Sequence, residues 1–254
     1  HLETLLKSTK KTLVSLMHIN NEIGTILDIQ KVAELCQANN VLFHSDTVQS
    51  VGHYHIDVKE TPIDFLVASA HKFHGPKGVG FAFIRKNSGL KSLIIGGTQE
   101  RGIRAGTESI HDIVGLDESL ALSYQFLEVE NTQVRDLKSY FISELTTHIP
   151  GIKFNGACSD SKISTYTLVN LCLPVSATSA PMFLFQLDLK GIACSKGSAC
   201  QSGSGKGSHV LAEILKEEDM KRPSIRFSFS IYNTKKEVQS VVSILKELVN
   251  EANS

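Results

Sequence analysis

The sequence lacks the features that mark membrane-spanning and nucleic-acid-binding chains. No run of about 20 apolar residues, the length that a helix needs to cross a bilayer, occurs in its 254 positions. Neither sign of charge is in excess, because 26 Lys and Arg residues balance 26 Asp and Glu residues. A protein that holds nucleic acid through bulk charge needs a basic surplus. We therefore expect neither a membrane nor a nucleic-acid partner.

The cysteine pattern argues against a zinc protein. The five cysteines are odd in number and show no C-x2-C spacing, so we expect no metal site. Free thiols are typical of a reducing compartment, and no signal-peptide pattern opens the chain. These observations predict a cytoplasmic location. An organellar location stays open, since a targeting peptide would precede the residues given.

What the sequence does contain is an alternation of strand and helix patterns. Apolar, β-branched runs predict strands at 12–19, 41–44, 64–69 and 79–84. Between the first two, Asp28 is placed to cap a helix over 29–39. The alternation predicts an α/β fold with a mainly parallel sheet and flanking helices. Ligands of such sheets bind at the carboxyl ends of strands, where we expect Asn21, Asp46 and Lys72.

A change of pattern near the middle of the chain predicts a domain boundary. A helical pattern with a bend runs from Glu108 to about His148, and Pro150-Gly151 ends it. We expect a large domain at 1–149 and a smaller α+β domain at 150–254. Within the second domain, the patterns predict strands at 165–171, 192–194 and 225–229 and helices at 181–189, 209–216 and 234–252.

The segment Ser69-Ala70-His71-Lys72 closes one predicted strand and precedes a turn-rich stretch. A free lysine has a pKa of about 10.4, so it is an ammonium ion at neutral pH and does not attack a carbonyl. Partial burial near other cations lowers that pKa and makes the amine a nucleophile. A lysine at a strand end is more often a solvated surface residue, and Lys72 by itself is compatible with both interpretations.

Two further segments suit the recognition of a phosphorylated ring. Asp46, with Gln49 three residues later, could pair with a pyridine nitrogen and keep it protonated. A lone aspartate in this position is also a common helix cap. The loop from Gly96 to Thr107 is rich in glycine and arginine and has the donors for an anion, although surface loops share this composition.

Together these segments resemble a known family. The order and spacing of six motifs are similar to those of cysteine desulfurases of the class V aminotransferase group, which have the fold-type I pyridoxal-phosphate architecture. The motifs are 20–24 (NNEIG), 44–50 (HSDTVQS), 69–72 (SAHK), 75–78 (GPKG), 96–107 and 198–202 (SACQS).

The resemblance implies a role for each matching residue. Lys72 would bind pyridoxal 5'-phosphate as a Schiff base, and Asp46 would pair with its pyridine nitrogen. Arg226 would hold the substrate carboxylate through its guanidinium fork. The remaining cofactor contacts are Asn21 and Gln49 near the ring hydroxyl, Ser69 and His71 on the phosphate, and Thr107 on the phosphate of a partner subunit, which implies a homodimer.

The resemblance also assigns the nucleophile. Cys200 would attack the sulfur of L-cysteine, leaving L-alanine and a persulfide for an acceptor or scaffold protein in iron–sulfur cluster or thio-cofactor assembly. Glycines surround Cys200, and their conformational freedom would let the persulfide travel. The remaining thiols are expected to be inert, namely Cys36, Cys158, Cys172 and Cys194.

The chain departs from the family pattern at its front. Family members carry a preceding region with a phosphate-binding loop and an aromatic residue that stacks on the cofactor, and neither is identifiable here. We therefore expect the C-terminal part of such an enzyme. Two alternatives stay open: a related enzyme such as a selenocysteine lyase or another class V lyase or aminotransferase, and a non-catalytic fragment that keeps the fold.

Overall fold

A computed structural model describes residues 1–8, 10–176, 180–196 and 207–253. The chain folds into two compact units. The first unit comprises 1–19 and 27–127, and the second comprises 20–26 and 128–254. This division differs from the boundary expected at Pro150, because the long helix before it groups with the second unit. No helix in the described parts of the chain has the length and apolar character needed to cross a membrane.

The first unit is built on a four-stranded sheet in the order β1-β2-β3-β4. Strands β1 to β3 are parallel, and β4 pairs with β3 in the antiparallel sense. The predicted mainly parallel sheet is therefore confirmed. Its elements are α1 (Leu2–Leu5), β1 (Leu13–Met17), α2 (Ile29–Ala38), β2 (Leu42–Asp46), β3 (Phe65–Ser69), β4 (Gly80–Ile84) and α3 (Ile110–Gln125).

Helix α2 forms because the sequence supplies an N-cap and an apolar face. Asp28 Oδ1 accepts a hydrogen bond of 3.0 Å from the Lys31 amide, so the predicted N-cap is confirmed. The apolar face of the helix buries Val32, Ala33 and Cys36 against the sheet core, where Phe43 is fully buried. This packing holds the helix that connects the parallel strands β1 and β2 against the sheet.

The second unit combines helices with a three-stranded antiparallel sheet in the order β5-β6-β7. Its elements are α4 (Leu127–His148), β5 (Lys153–Phe154), β6 (Leu168–Cys172), α5 (Ala180–Leu189), α6 (His209–Ile214), α7 (Glu217–Met220), β7 (Ser224–Ser228) and α8 (Lys235–Asn253). Central strand β6 is buried along its whole length. Phe141 of α4 and Leu245 of α8 belong to the same apolar core.

Two predictions about the second half of the chain can be judged directly. The predicted bend in the long helical region is confirmed, because α3 ends at Gln125 and α4 begins at Leu127. The predicted strand at 192–194 is wrong. Residues 192–194 form no strand, and Ser195 next to them makes an isolated β-bridge with Arg226. A single bridge gives this part of the chain too few backbone pairs for a strand.

Candidate active site

The carboxyl edge of the first sheet brings two predicted site residues to neighbouring strands. Asp46 is the last residue of β2, and Val67 of β3 lies opposite it in the parallel register. Ser69 ends β3, and Lys72 lies in the 3-10 turn Ala70–Phe73 that follows at once. Because β2 and β3 run in the same direction, the carboxylate and the amine project from the same edge of the sheet.

The turn after β2 is held firmly. Asp46 Oδ1 accepts a hydrogen bond of 3.0 Å from the Val48 amide, so the carboxylate shapes its own turn. Thr47, which is fully buried, donates from Oγ1 to the Val67 carbonyl at 2.7 Å and ties the turn to β3. Asp46 and Gln49 remain half-buried and so keep contact with solvent or a ligand.

The turn after β3 holds the predicted lysine. His53 Nε2 lies 2.8 Å from the Lys72 carbonyl oxygen, which positions the backbone of that residue. His74 ends the turn in the left-handed conformation, with φ of 65°. Ser69 and Lys72 are half-buried, and His71 is exposed. The turn thus brings a hydroxyl, an imidazole and an amine together within four residues.

His18 lies at this edge of the sheet and was not singled out in the sequence. It follows β1 at the same edge of the sheet, and its amide donates to the Asp46 carbonyl at 2.9 Å. The side chain is only 7% exposed, and its Nδ1 has no hydrogen-bond partner among the described residues. Burial lowers the pKa of His18 to about 4, so the ring is neutral at physiological pH. Its only sequence signal is its position at a strand end, three residues before Asn21.

Thr107 lies apart from these turns, in the loop that precedes α3. It is exposed and lines a groove of about 1000 Å³ together with Arg85, Arg101 and Arg104. The same loop exposes Leu93 by 93% and Ile95 by 89%. Basic groups and apolar side chains thus share this surface of the first unit.

In the second unit, the structure brings Arg226 and Asn21 together. Arg226 lies on β7, and its Nη1 donates to the Asn21 carbonyl oxygen at 2.7 Å. Asn20, the preceding residue, turns the chain, because its Oδ1 accepts from the Glu22 and Ile23 amides at 2.9 and 3.0 Å. Two residues that lie 205 positions apart in the sequence are therefore direct neighbours.

Cys200 lies outside the described residues, but the chain on either side of it is anchored beside this pair. Ser195 exchanges two backbone hydrogen bonds with Arg226, at 2.8 and 3.1 Å. On the other side, Ser208 Oγ donates to Glu22 Oε2 at 2.5 Å and also caps α6. Glu22 is 1% exposed and adjoins Asn21. Both ends of the segment therefore start from the Arg226–Asn21 pair.

The remaining cysteines are poor nucleophiles. Burial raises the thiol pKa of Cys36, Cys158 and Cys172. Burial, and then the nearby Asp188 carboxylate, raise the pKa of Cys194 to about 11. Because the thiolate is the reactive form, these four side chains stay protonated and unreactive at neutral pH.

The donor set of the first unit fits pyridoxal phosphate. The cofactor needs an amine for its aldehyde, a carboxylate for its ring nitrogen, and donors for its phosphate. Lys72, Asp46 and the pair Ser69 and His71 supply these groups from the ends of two neighbouring parallel strands. A buried, neutral His18 beside Asp46 adds no competing positive charge at this edge.

Comparison with known proteins agrees with this chemistry. A family model described as aminotransferase class-V matches residues 1–241. Cysteine desulfurase IscS of Dictyoglomus turgidum is 37% identical over 239 residues, which are 94% of this chain and 59% of that protein. Cysteine desulfurase IscS of Clostridium botulinum (strain Hall) is 39% identical over 239 residues, with the same coverage. The chain thus spans about three fifths of the length of these curated relatives.

Two solved structures superpose on this chain. A NifS-like protein superposes with a TM-score of 0.84 at 30% identity, covering 99% of this chain and 65% of that chain. The NifS-like protein from Rickettsia africae superposes with a TM-score of 0.84 at 28% identity, covering 98% of this chain and 65% of that chain. The fold of these proteins, the fold-type I architecture, is therefore also the fold of this chain.

Proposed function

The chain belongs to the aminotransferase class-V family, and from that premise we propose that the protein is a pyridoxal-phosphate-dependent cysteine desulfurase. Its substrate is L-cysteine, its products are L-alanine and a persulfide on Cys200, and the sulfur passes to an acceptor protein. The names of its relatives and the donor set at the sheet edge support this proposal.

The observation that carries the proposal is the anchoring of the Cys200 segment. Ser195 pairs with Arg226, and Ser208 bonds to Glu22, next to Asn21. Cys200 follows Ser195 by five residues, so chain length alone keeps their Cα atoms within about 18 Å. This reach allows a Cys200 thiol to meet a substrate whose carboxylate is held by Arg226.

Arg226 and Asn21 would position the substrate. The guanidinium offers five N–H donors in a planar fork, and one of them already bonds to the Asn21 carbonyl. That bond orients the fork, whose planar geometry suits a carboxylate. The amino acid would therefore bind with its carboxylate fixed and its sulfur directed toward the segment that contains Cys200.

The proposed sulfur transfer forms one bond and breaks another. The Cys200 thiolate forms an S–S bond with the substrate sulfur while the carbon–sulfur bond of the substrate breaks. The electron pair of that bond stays with carbon, which takes up a proton and becomes the methyl group of alanine. When bound, pyridoxal phosphate serves as the electron sink for this step. Lys72 would hold the cofactor, and Asp46 would keep a proton on its ring nitrogen.

We further propose a homodimer in which Thr107 contacts the cofactor phosphate of the partner subunit. Leu93 and Ile95 support this proposal, since apolar side chains this exposed are typical of an interface. The acceptor is proposed to serve iron–sulfur cluster or thio-cofactor assembly. A cytoplasmic location is proposed, and an organellar one is an alternative, since a mitochondrial relative is known in Dictyostelium discoideum.

An absorbance spectrum after incubation with pyridoxal phosphate tests the cofactor site. We expect a visible band from cofactor bound to the parent chain and none from Lys72→Ala, because only the lysine amine forms the covalent bond. A band of equal intensity in both proteins would contradict the role of Lys72. An absent band in the parent as well would mean that the described residues do not hold the cofactor.

Sulfide release from L-cysteine, with a reducing agent present, then tests the reaction. We expect the parent protein loaded with cofactor to release sulfide. The rate should fall by at least 100-fold in Cys200→Ser, because the proposed sulfur transfer cannot proceed without its nucleophile. Cys194→Ser is the matched control and should retain activity. Turnover of selenocysteine with little turnover of cysteine would instead assign a selenocysteine lyase.

A further inference from the structure

Helix α4 of the second unit carries a buried cation with no acidic partner. Lys138 is only 4% exposed. Its Nζ donates to Ser164 Oγ at 3.0 Å and to the Thr165 carbonyl at 2.6 Å, and both acceptors are neutral. No carboxylate of the described residues pairs with it. Burial lowers the pKa of Lys138 to about 8, so the ammonium ion still predominates at neutral pH.

A second cation lies one helical turn away. Arg135 precedes Lys138 by three residues, a spacing that puts both on one face of α4. Its Nε donates to Asn131 Oδ1 at 3.0 Å, and its Nη1 donates to the Ser161 carbonyl at 3.0 Å. Its guanidinium carbon lies 5.7 Å from the centre of the Tyr166 ring. These partners are also neutral, so the two positive charges lack a counterion within the described chain.

Both cations line one cavity. Its volume is about 170 Å³, and its remaining polar lining residues are Tyr166 and four serines, Ser139, Ser159, Ser161 and Ser164. No acidic side chain is among the described lining residues. At about 30 Å³ per water in the liquid, this volume corresponds to roughly six waters, which is also room for a five-atom oxyanion such as phosphate.

We propose that this cavity binds a small tetrahedral oxyanion, either free phosphate or sulfate or the terminal phosphoryl group of a larger molecule. Lys138 and Arg135 supply the charge, and the hydroxyls of Ser159 and Ser161 supply neutral donors, as in other anion sites. The bound anion compensates a buried charge that is otherwise uncompensated, which is costly in a protein interior. It also links α4 to the segment 159–166, and so stabilises the second unit.

Isothermal titration with inorganic phosphate at constant ionic strength tests the proposal. We expect saturable binding to the parent chain and affinity lower by about tenfold or more in Lys138→Met and in Arg135→Gln, because each variant removes a charged donor. Lys246→Met, which removes a positive charge from the exposed side of α8, is the matched control and should bind like the parent. Arg135→Gln keeps the test valid if Lys138→Met does not fold.

A second control separates this cavity from the proposed cofactor site, which would also take phosphate. The His71→Ala variant should still show the phosphate binding that the Arg135→Gln variant weakens. Titration with adenosine monophosphate distinguishes a free anion from a phosphoryl group of a larger molecule. If adenosine monophosphate binds more tightly than phosphate, and its binding also depends on Arg135, the ligand is a phosphoryl group of a larger molecule. No saturable binding in the parent, or equal binding in the parent and both cavity variants, would overturn the proposal.

Discussion

Burial governs the protonation of one side chain at the carboxyl edge of the first sheet. The buried ring of His18 has a pKa of about 4, and its Nδ1 lacks a hydrogen bond among the described residues. A neutral, buried imidazole contributes no charge to the proposed cofactor site. It instead makes the folded state sensitive to acid.

His18 predicts a specific pH dependence of stability. The unfolded chain binds a proton at this residue below its usual pKa of 6.5, whereas the folded chain binds it only below about 4. Unfolding therefore takes up a proton between pH 4 and 6.5, and the free energy of unfolding rises with pH over that window. A shift of this size corresponds to roughly 3 kcal/mol. We expect His18→Gln to lose this part of the pH dependence.

Urea denaturation from pH 4 to 7 measures the effect. The matched control is His111→Gln, whose side chain is 85% exposed. This variant should retain the parental dependence of the free energy of unfolding on pH. If the free energy of unfolding of His18→Gln depended on pH as strongly as that of the parent, the buried ring would not be the source of the pH dependence.

At the scale of elements, the pairing of β3 with β4 decides where the lysine turn begins. Ser69, the last residue of β3, pairs with Gly80, the first residue of β4. A Cβ atom on Gly80 would lie 2.3 Å from the Ala68 carbonyl oxygen and 3.3 Å from the Ser69 Cα. Only glycine lets the two strands approach so closely at this point.

Gly80→Ala should therefore destabilise the first unit. The added methyl group must displace backbone, and overpacking of this kind costs about 1–3 kcal/mol. Urea denaturation measures the loss. Gly207→Ala is the control, since a Cβ there meets no heavy atom of the described residues within 4 Å. Equal stability of the parent and Gly80→Ala would mean that β4 can shift without cost.

At the scale of the whole molecule, the second unit contains the larger apolar core. Phe141 is 1% exposed, and its ring meets Phe227 and Phe229 edge to face, with centroid distances of 5.3 and 5.5 Å. The core connects α4, the three-stranded sheet and α8. This packing supports the strand that carries Arg226.

Phe141→Ala should lower the free energy of unfolding by about 3–5 kcal/mol, because it removes buried area and leaves a cavity. Phe126→Ala, at a side chain that is 50% exposed, should cost less than about 1 kcal/mol. Denaturation curves of the two variants compare these effects directly. A similar loss in both would show that burial does not govern the contribution of these rings.

The sequence by itself determined the local elements and the identity of the chemical groups. Asp28 before an apolar helical face predicts α2, and strand patterns predict β1 to β4, because hydrophobic period and capping act over a few residues. The residues proposed for pyridoxal chemistry were also recognisable, since their motifs are contiguous and resemble those of a known family. The roles assigned to all of these site residues, including Thr107 and Cys200, remain predictions.

Only the tertiary structure decided which distant groups meet. The contact of Arg226 with the Asn21 carbonyl, the burial of His18 beside Asp46, and the cavity between Arg135 and Lys138 all depend on packing between segments far apart in sequence. The failed prediction of a strand at 192–194 has the same origin. An apolar run becomes a strand only when a partner lies alongside it, and the available edge of β7 meets this segment only at Ser195.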